Sequence, residues 1–151
     1  MNMKKTFALV IPTLLLLLMS CSANRAIRYD ESKAGFDVKK LHATWELVEV
    51  KNGTEATPMQ APWTERLTFD AQGFLVTQEM DDMDLDRERY TVDKNIIRVY
   101  DIEDNDLEDT FEVVSISDDT LVLKVKESLV DRDFDRDLIR HNSVLTYKRV
   151  K

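Results

Sequence analysis

Eight strand-like runs, joined by connections that alternate between short and long, restrict the fold of this sequence more than any other feature. The runs are rich in Val, Ile, Leu, Thr and aromatic residues, which favour β-strands. They cover residues 44–51, 66–70, 74–80, 87–92, 96–101, 110–116, 120–126 and 143–149. Apolar residues recur at every second position in several runs, as at Leu121, Leu123 and Val125, and this period predicts strands with one buried face.

The connections between the runs predict how the strands are arranged. Three are short and rich in turn residues, and four are long. The short connections are 71–73, 93–95 and 117–119, and the long ones are 52–65, 81–86, 102–109 and 127–142. In an up-and-down antiparallel sheet, every second connection lies at the same end of the strands. We therefore predict an all-β fold, an eight-stranded up-and-down antiparallel barrel with a long-loop end and a short-turn end.

The first twenty residues have the composition of an export signal. Lys4 and Lys5 form a basic start, and an apolar run from Phe7 to Met19 follows them. That run is shorter than the about 20 apolar residues that a helix needs to span a bilayer. Residues 1–20 are therefore predicted to be a signal peptide that is removed from the mature protein.

The signal ends at the only cysteine of the chain. Residues 18–21 have the sequence Leu-Met-Ser-Cys, which resembles the lipobox of bacterial lipoproteins. The resemblance implies that Cys21 is lipidated and becomes the mature N-terminus, and that residues 21–40 tether the domain to a membrane. Ser22 follows the cysteine in place of the aspartate that resembles an inner-membrane retention signal. We therefore expect an outer-membrane lipoprotein of the bacterial envelope that faces the periplasm.

Residues 41–151 remain for one folded domain. With a single cysteine, an intrachain disulfide is impossible, so the core alone must stabilise the fold. The formal net charge is −8, and loss of Lys4 and Lys5 with the signal peptide changes it to −10. This negative charge disfavours binding to nucleic acid or to an anionic membrane surface. We expect a monomer that does not bind nucleic acid.

Three segments resemble the small lipocalin-like domains of bacterial lipoproteins. They are the strand around Trp45, the hairpin at 67–73 and the closing segment 145–149. In the lipocalin pattern a glycine precedes the tryptophan by two positions, whereas this chain has Ala43 there. The resemblance implies that Trp45 is a structural plug at the short-turn end and that Arg149 packs over its indole ring as a cation–π contact.

The residue types of a catalytic site do not occur together in this sequence. The histidines, His42 and His141, lack a nucleophile to activate, because the only cysteine is assigned to the lipid. The glycines, Gly35, Gly53 and Gly73, stand alone and form no phosphate-binding loop. We predict a non-enzymatic protein without a cofactor, and an unrecognised hydrolase is only a third hypothesis.

Acidic residues crowd the long connections and predict a negative long-loop end. This charge either attracts cations or a basic protein partner, or it only keeps the loops soluble. Asp131, Asp133 and Asp135 resemble the start of a calcium-binding loop. However, Arg136 and Asn142 occupy the positions that such a loop gives to glycine and glutamate, so no metal site is predicted.

The last long connection also carries a helical pattern. Val130, Phe134 and Leu138 are four residues apart, which predicts a short helix that begins near Ser128 and lies across the long-loop end. An extension of the neighbouring strand is the alternative, because aspartate is a poor helix former.

The site predicted for a ligand lies at the long-loop end and includes Trp63, Phe134 and Tyr90. A barrel of eight strands either holds one small ligand or is filled by its own side chains. Our first hypothesis is therefore a lipid-anchored protein that binds a small, partly apolar molecule. The alternative is a packed barrel that serves as a structural or protein-interaction module with an acidic end.

Overall fold

The structure is a computed structural model that describes residues 27–53, 55–79, 85–128 and 142–151. The predicted signal peptide, Cys21, Phe134 and most of the last long connection, where a helix is predicted, lie outside these residues. Within the described ranges, no helix is long and apolar enough to cross a membrane.

Nine strands form one antiparallel sheet. They are β1 (Thr44–Lys51), β2 (Met59–Gln60), β3 (Glu65–Phe69), β4 (Phe74–Glu79), β5 (Leu85–Asp93), β6 (Ile96–Tyr100), β7 (Leu107–Ile116), β8 (Thr120–Ser128) and β9 (Val144–Arg149). Because β1 pairs with both β3 and β9, eight of the strands close into a barrel. The two-residue strand β2 adds to the second half of β1. The predicted eight-stranded up-and-down barrel is confirmed.

The strand register shows which connections share an end. Thr44, at the start of β1, pairs with Thr68 near the end of β3, and Trp45 pairs with Arg149 at the end of β9. The links after β3, β5 and β7 therefore lie at this short-turn end. The strand ends that border the longer links, after β1, β4, β6 and β8, lie at the opposite, long-loop end. The predicted alternation of connections is confirmed.

Alternate residues of the strands point inward and fill the barrel. Trp45, Tyr90, Tyr147 and Phe69 are the largest of the fully buried side chains. The aliphatic and remaining aromatic residues around them include Leu47, Val50, Leu67, Leu75, Val92, Ile97, Val99, Phe111, Val113, Leu121, Leu123, Val125 and Leu145. Burial of each large apolar side chain stabilises the fold by about 1.5–3 kcal/mol. The fold therefore depends on a packed interior, as a domain without a disulfide requires.

The described part of the segment before β1 packs against the short-turn end; it falls within residues 21–40, for which a tether is predicted. A 3-10 turn (Glu31–Lys33) is followed by a single helical turn, α1 (Val38–Leu41). The Gly35 N–H donates to the Lys94 carbonyl, and the Lys94 N–H donates to the Lys33 carbonyl, both at 2.7 Å. The apolar residues of this segment have no regular period because each contacts a different part of the barrel.

Candidate ligand-binding site at the long-loop end

Inward-facing positions change from apolar to acidic toward the long-loop end. In β3 the buried residues are Phe69, then Leu67, then Glu65, which is only 2% exposed. In β7 the same order runs from Phe111 to Asp109, which is also 2% exposed. Carboxylates therefore occupy positions that belong, by strand alternation, to the core.

Two further glutamates share this inner face. Residues directly opposite each other in antiparallel strands project to the same side of the sheet. Glu79 is opposite Glu65, and Glu88 is opposite the buried Leu75. We call Glu65, Glu79, Glu88 and Asp109 the acidic belt. It lies between the packed core and the long loops.

Hydroxyl groups connect the acidic belt to the neighbouring strands. Tyr147 is fully buried, and its hydroxyl donates to Glu65 Oε1 at 2.7 Å. The Thr77 hydroxyl donates to Glu88 Oε2 at 3.3 Å. Each carboxylate of the acidic belt has at least one hydrogen-bond or electrostatic partner. The acidic belt is thus an ordered part of the inner wall.

The four carboxylates of the acidic belt make the inner wall negative at this end of the barrel. Glu65 and Glu79 face each other across adjacent strands, and like charges in that position are destabilising. Burial reduces the screening by water, so a cation near these carboxylates is attracted more strongly than at an open surface. Among the described side chains, no group of three or more His, Cys, Asp or Glu residues is placed to hold a metal ion.

Exposed apolar side chains surround the same end. Met59 in β2 is 39% exposed, Leu85 at the start of β5 is 61% exposed, and Ile102 after β6 is 36% exposed. They are three of the five large apolar residues with high exposure in the described part of the chain. The long-loop end therefore combines apolar contact surface with an acidic interior.

Trp63 lies at this end, in the link between β2 and β3. β1 pairs with β3 over Thr44–Glu46 but with β2 over Glu49–Val50. The neighbour of β1 is therefore β3 near the short-turn end and β2 near the long-loop end. The Ala61 N–H donates to the Val48 carbonyl at 2.9 Å and holds the link against β1. Trp63 is partly buried and packs against the core. Its contact with a ligand stays a prediction.

A comparison with protein-family models decides the classification. The model of the lipocalin-like domain matches residues 41–123, which is more than half of the chain. The chain belongs to the lipocalin-like domain family. No curated protein matches the sequence, and no solved structure matches it. The match begins at Leu41, where the sequence predicts the start of the barrel domain.

Tyr90 of the lipocalin-like domain lies far along its strand from the long-loop end. Its hydroxyl donates to the Asp70 carbonyl of the β3–β4 turn at 2.6 Å, and its ring is 4.9 Å from Tyr29 and 5.1 Å from Phe69. Burial raises the pKa of Tyr90 well above the ordinary value for tyrosine. The structure therefore separates Tyr90 from Trp63 and places it in the core of the short-turn half.

The structure brings Trp45 and Arg149 together at the short-turn end of the lipocalin-like domain. The Trp45 indole is fully buried, and its Nε1–H donates to the Leu41 carbonyl at 3.0 Å. The Arg149 Cζ atom is 5.9 Å from the centre of the Trp45 ring, within the range of a weak cation–π contact. An Arg149 Nη also donates to the Asp118 carbonyl at 3.3 Å, which ties this arginine to the β7–β8 turn.

Part of the loop acidity in the lipocalin-like domain has a local structural cause. Asp101 accepts hydrogen bonds from the backbone N–H groups of Glu103 at 2.6 Å and Asp104 at 3.0 Å. These backbone hydrogen bonds hold the pKa of Asp101 below its ordinary value. Asp104 in turn accepts from the Asp106 N–H at 2.9 Å. Two aspartates of this connection therefore form the turn.

A separate groove lies on the outside of the barrel. It has a volume of about 530 Å³ and lies across β7, β8, β9 and β1. Its lining includes Lys51, Glu112, Val114 and Lys124. Because Lys124 alternates with the buried Leu123 and Val125, the groove is on the outer face of the sheet. It is distinct from the acidic belt.

Proposed function

We propose that this lipocalin-like domain is a non-enzymatic binding protein of the bacterial envelope, anchored by lipid at Cys21. It binds a small molecule with an apolar body and a cationic group at its long-loop end. The observation that supports this most directly is the acidic belt, which stands between a packed core and a set of exposed apolar side chains.

The packed core limits where a ligand can enter. Trp45, Tyr90 and Phe69 occupy the short-turn half, so a deep calyx there would require large side chains to move. The long-loop half has shorter inward side chains, such as Thr77, together with carboxylates. A ligand would lie across this half, with its apolar part against Met59 or Trp63 and its cation toward the acidic belt.

Dansylcadaverine is a suitable probe because it joins an apolar naphthalene to a primary ammonium group. The full-length protein should bind it saturably, as measured by dansyl fluorescence. The N-acetylated probe, which has the same apolar body and no charge, should bind at least about tenfold more weakly, a difference of about 1.4 kcal/mol. Equal affinity for the two probes would argue against a cation site.

A pair of matched variants tests the acidic belt itself. Glu79→Gln with Glu88→Gln should raise the Kd for dansylcadaverine about tenfold or more, because two inward carboxylates are lost. The control, Glu103→Gln with Asp106→Asn, removes the same charge from the exposed loop after β6 and should change the Kd less than about threefold. If both double variants weaken binding equally, general attraction to the negative protein explains the affinity.

The filled interior favours a second candidate function, a protein-interaction module with an acidic long-loop end. Exposed Leu85 and Ile102 beside the Asp101 turn would then contact a basic partner protein. A photo-crosslinking residue at position 85 in the native envelope separates the two candidates. Adducts of one defined protein mass would support the interaction module, and adducts confined to small molecules would support the binding protein.

The anchor has its own test. Cys21→Ala should abolish labelling by a radioactive fatty-acid precursor and move the protein from the membrane fraction to the soluble fraction, because no other cysteine can carry the lipid. Ser22→Ala, one residue later, should leave labelling and fractionation unchanged. Labelling that persists in Cys21→Ala would refute the lipobox assignment.

A further inference from the structure

The N-terminal segment is fixed to the short-turn end at several points. Ala34 forms a parallel bridge with Lys94, and the Tyr29 hydroxyl lies 2.9 Å from His42 Nε2. The Tyr29 ring also packs against Tyr90, 4.9 Å between centres. The chain therefore leaves the barrel at the short-turn end, and its path from Tyr29 onward is determined by these contacts.

The remaining connection to the anchor is short. Cys21 and Tyr29 are eight residues apart in the sequence. Eight residues span at most about 28 Å when fully extended. The barrel itself is about 25 Å high, given a longest strand of 10 residues at an ordinary tilt. An orientation with the long-loop end on the membrane would use nearly the whole reach of the connection.

The charge distribution favours the same orientation. The short-turn end is close to neutral, because residues 28–40, 70–73, 93–95, 117–119 and 148–151 carry eight basic and seven acidic side chains beside the C-terminal carboxylate. The connections 52–64 and 101–106, at the long-loop end, carry five acidic side chains and no basic one. An anionic bilayer surface attracts lysine and arginine within a Debye length and repels carboxylates there.

From the docked segment, the reach and the charges together, we infer that the short-turn end of the barrel faces the bilayer that holds the lipid, so that the long-loop end opens away from it. This inference rests on the proposed lipidation of Cys21. It implies that the ligand comes from the aqueous compartment or from an opposing surface and does not pass directly from the anchoring bilayer. It places the nearly neutral short-turn end, with exposed Lys39 and Lys151, next to the lipid headgroups and keeps the negative long-loop end away from them.

Site-specific photo-crosslinking tests the orientation in the full-length protein. p-Benzoylphenylalanine replaces either Lys39 at the short-turn end or Glu103 at the long-loop end, both of which are exposed. The protein is expressed in a Gram-negative host, and isolated membranes are irradiated and analysed by intact-protein mass spectrometry. Lipid adducts should form at position 39 at least about fivefold more often than at position 103. Position 151, at the exposed C-terminus, provides a second short-turn probe if the variant at 39 does not fold.

Each outcome distinguishes the orientation from the anchor. Protein that fractionates with membranes but forms lipid adducts equally at 39 and 103, or mainly at 103, would overturn the orientation and leave the anchor intact. Membrane-bound protein without lipid adducts at 39 and 151 would also overturn it. Recovery of the protein in the soluble fraction would instead overturn the lipid anchor, and the orientation with it.

Discussion

Gly73→Ala is expected to lower the free energy of unfolding by about 2–5 kcal/mol. Gly73 has a φ of +89°, a conformation that costs a residue with a Cβ about 1–2 kcal/mol. A Cβ at this position would also overlap the Tyr29 Cβ and lie 2.9 Å from Tyr29 Cγ. Overpacking of that kind typically costs a further about 1–3 kcal/mol. The total loss in the free energy of unfolding can be measured by urea denaturation, monitored by circular dichroism.

The contacts of Tyr29 explain why it cannot easily move away from such a Cβ. Its ring packs on Tyr90, and its hydroxyl is paired with His42. Gly73 is also held in place, because its carbonyl accepts a hydrogen bond from the Tyr90 N–H at 2.9 Å. Displacement of Tyr29 would therefore break its contacts with Tyr90 and His42.

Two further variants separate the cost of backbone strain at Gly73 from the cost of steric overlap with Tyr29. Gly53→Ala is the control, since φ is not positive there and the nearest atom to the added Cβ is Asn142 Cβ at 3.2 Å. It should cost less than about 1 kcal/mol. In a Tyr29→Gly background, which removes the Tyr29 Cβ together with the ring, Gly73→Ala should lose only the part due to backbone strain, and the difference measures the coupling. Equal costs for Gly73→Ala in both backgrounds would mean that Tyr29 does not pack there in solution.

The barrel could be predicted from the sequence because strand period and connection length are local signals. β1 (Thr44–Lys51) has the predicted bounds. β5 and β7 begin two and three residues earlier than predicted, at Leu85 and Leu107. The first residues of both strands include Asp and Glu, which have low strand propensity. Pairing with the neighbouring strands overrides that propensity.

The acidic belt is not among the sequence predictions, although its signal is present in the sequence. Glu65, Leu67 and Phe69 are two residues apart, as are Leu75, Thr77 and Glu79. The carboxylates therefore have the same phase as the core residues and should point inward. The predicted strand at 66–70 leaves Glu65 in a loop, and the predicted connection at 102–109 leaves Asp109 among the loop acids.

Neither the position of Tyr90 along the barrel axis nor the docking of Tyr29 could be predicted from the sequence. Alternation predicts to which side of the sheet a strand residue points. Its position along the barrel axis depends on the register with both neighbouring strands. Arg89 pairs with Phe74 on one side and with Tyr100 on the other, and this stagger places Tyr90 beside the β3–β4 turn. Tyr29 reaches the same turn through contacts between residues far apart in the sequence, for which no local pattern exists.

Trp45→Ala is expected to be the most destabilising single substitution in the barrel wall, with a loss of about 3–5 kcal/mol. The indole is fully buried, and its removal leaves a large cavity between the strands and α1. It also removes the donor to the Leu41 carbonyl, which connects α1 to the barrel. Thermal and urea unfolding would measure the loss, and Trp45→Phe should recover part of it by filling much of the cavity.

Trp63→Ala is the matched control, because the chain has only these two tryptophans and Trp63 is partly exposed. It should cost about 1–2 kcal/mol, since less of its surface is buried. It should also weaken dansylcadaverine binding, which Trp45→Phe should leave unchanged. Arg149→Gln tests the cation–π contact and should cost no more than about 1 kcal/mol, because the guanidinium is exposed. If Trp63→Ala were as destabilising as Trp45→Ala, the long-loop half would be part of the packed core, and a ligand could enter the barrel only by displacing Trp63.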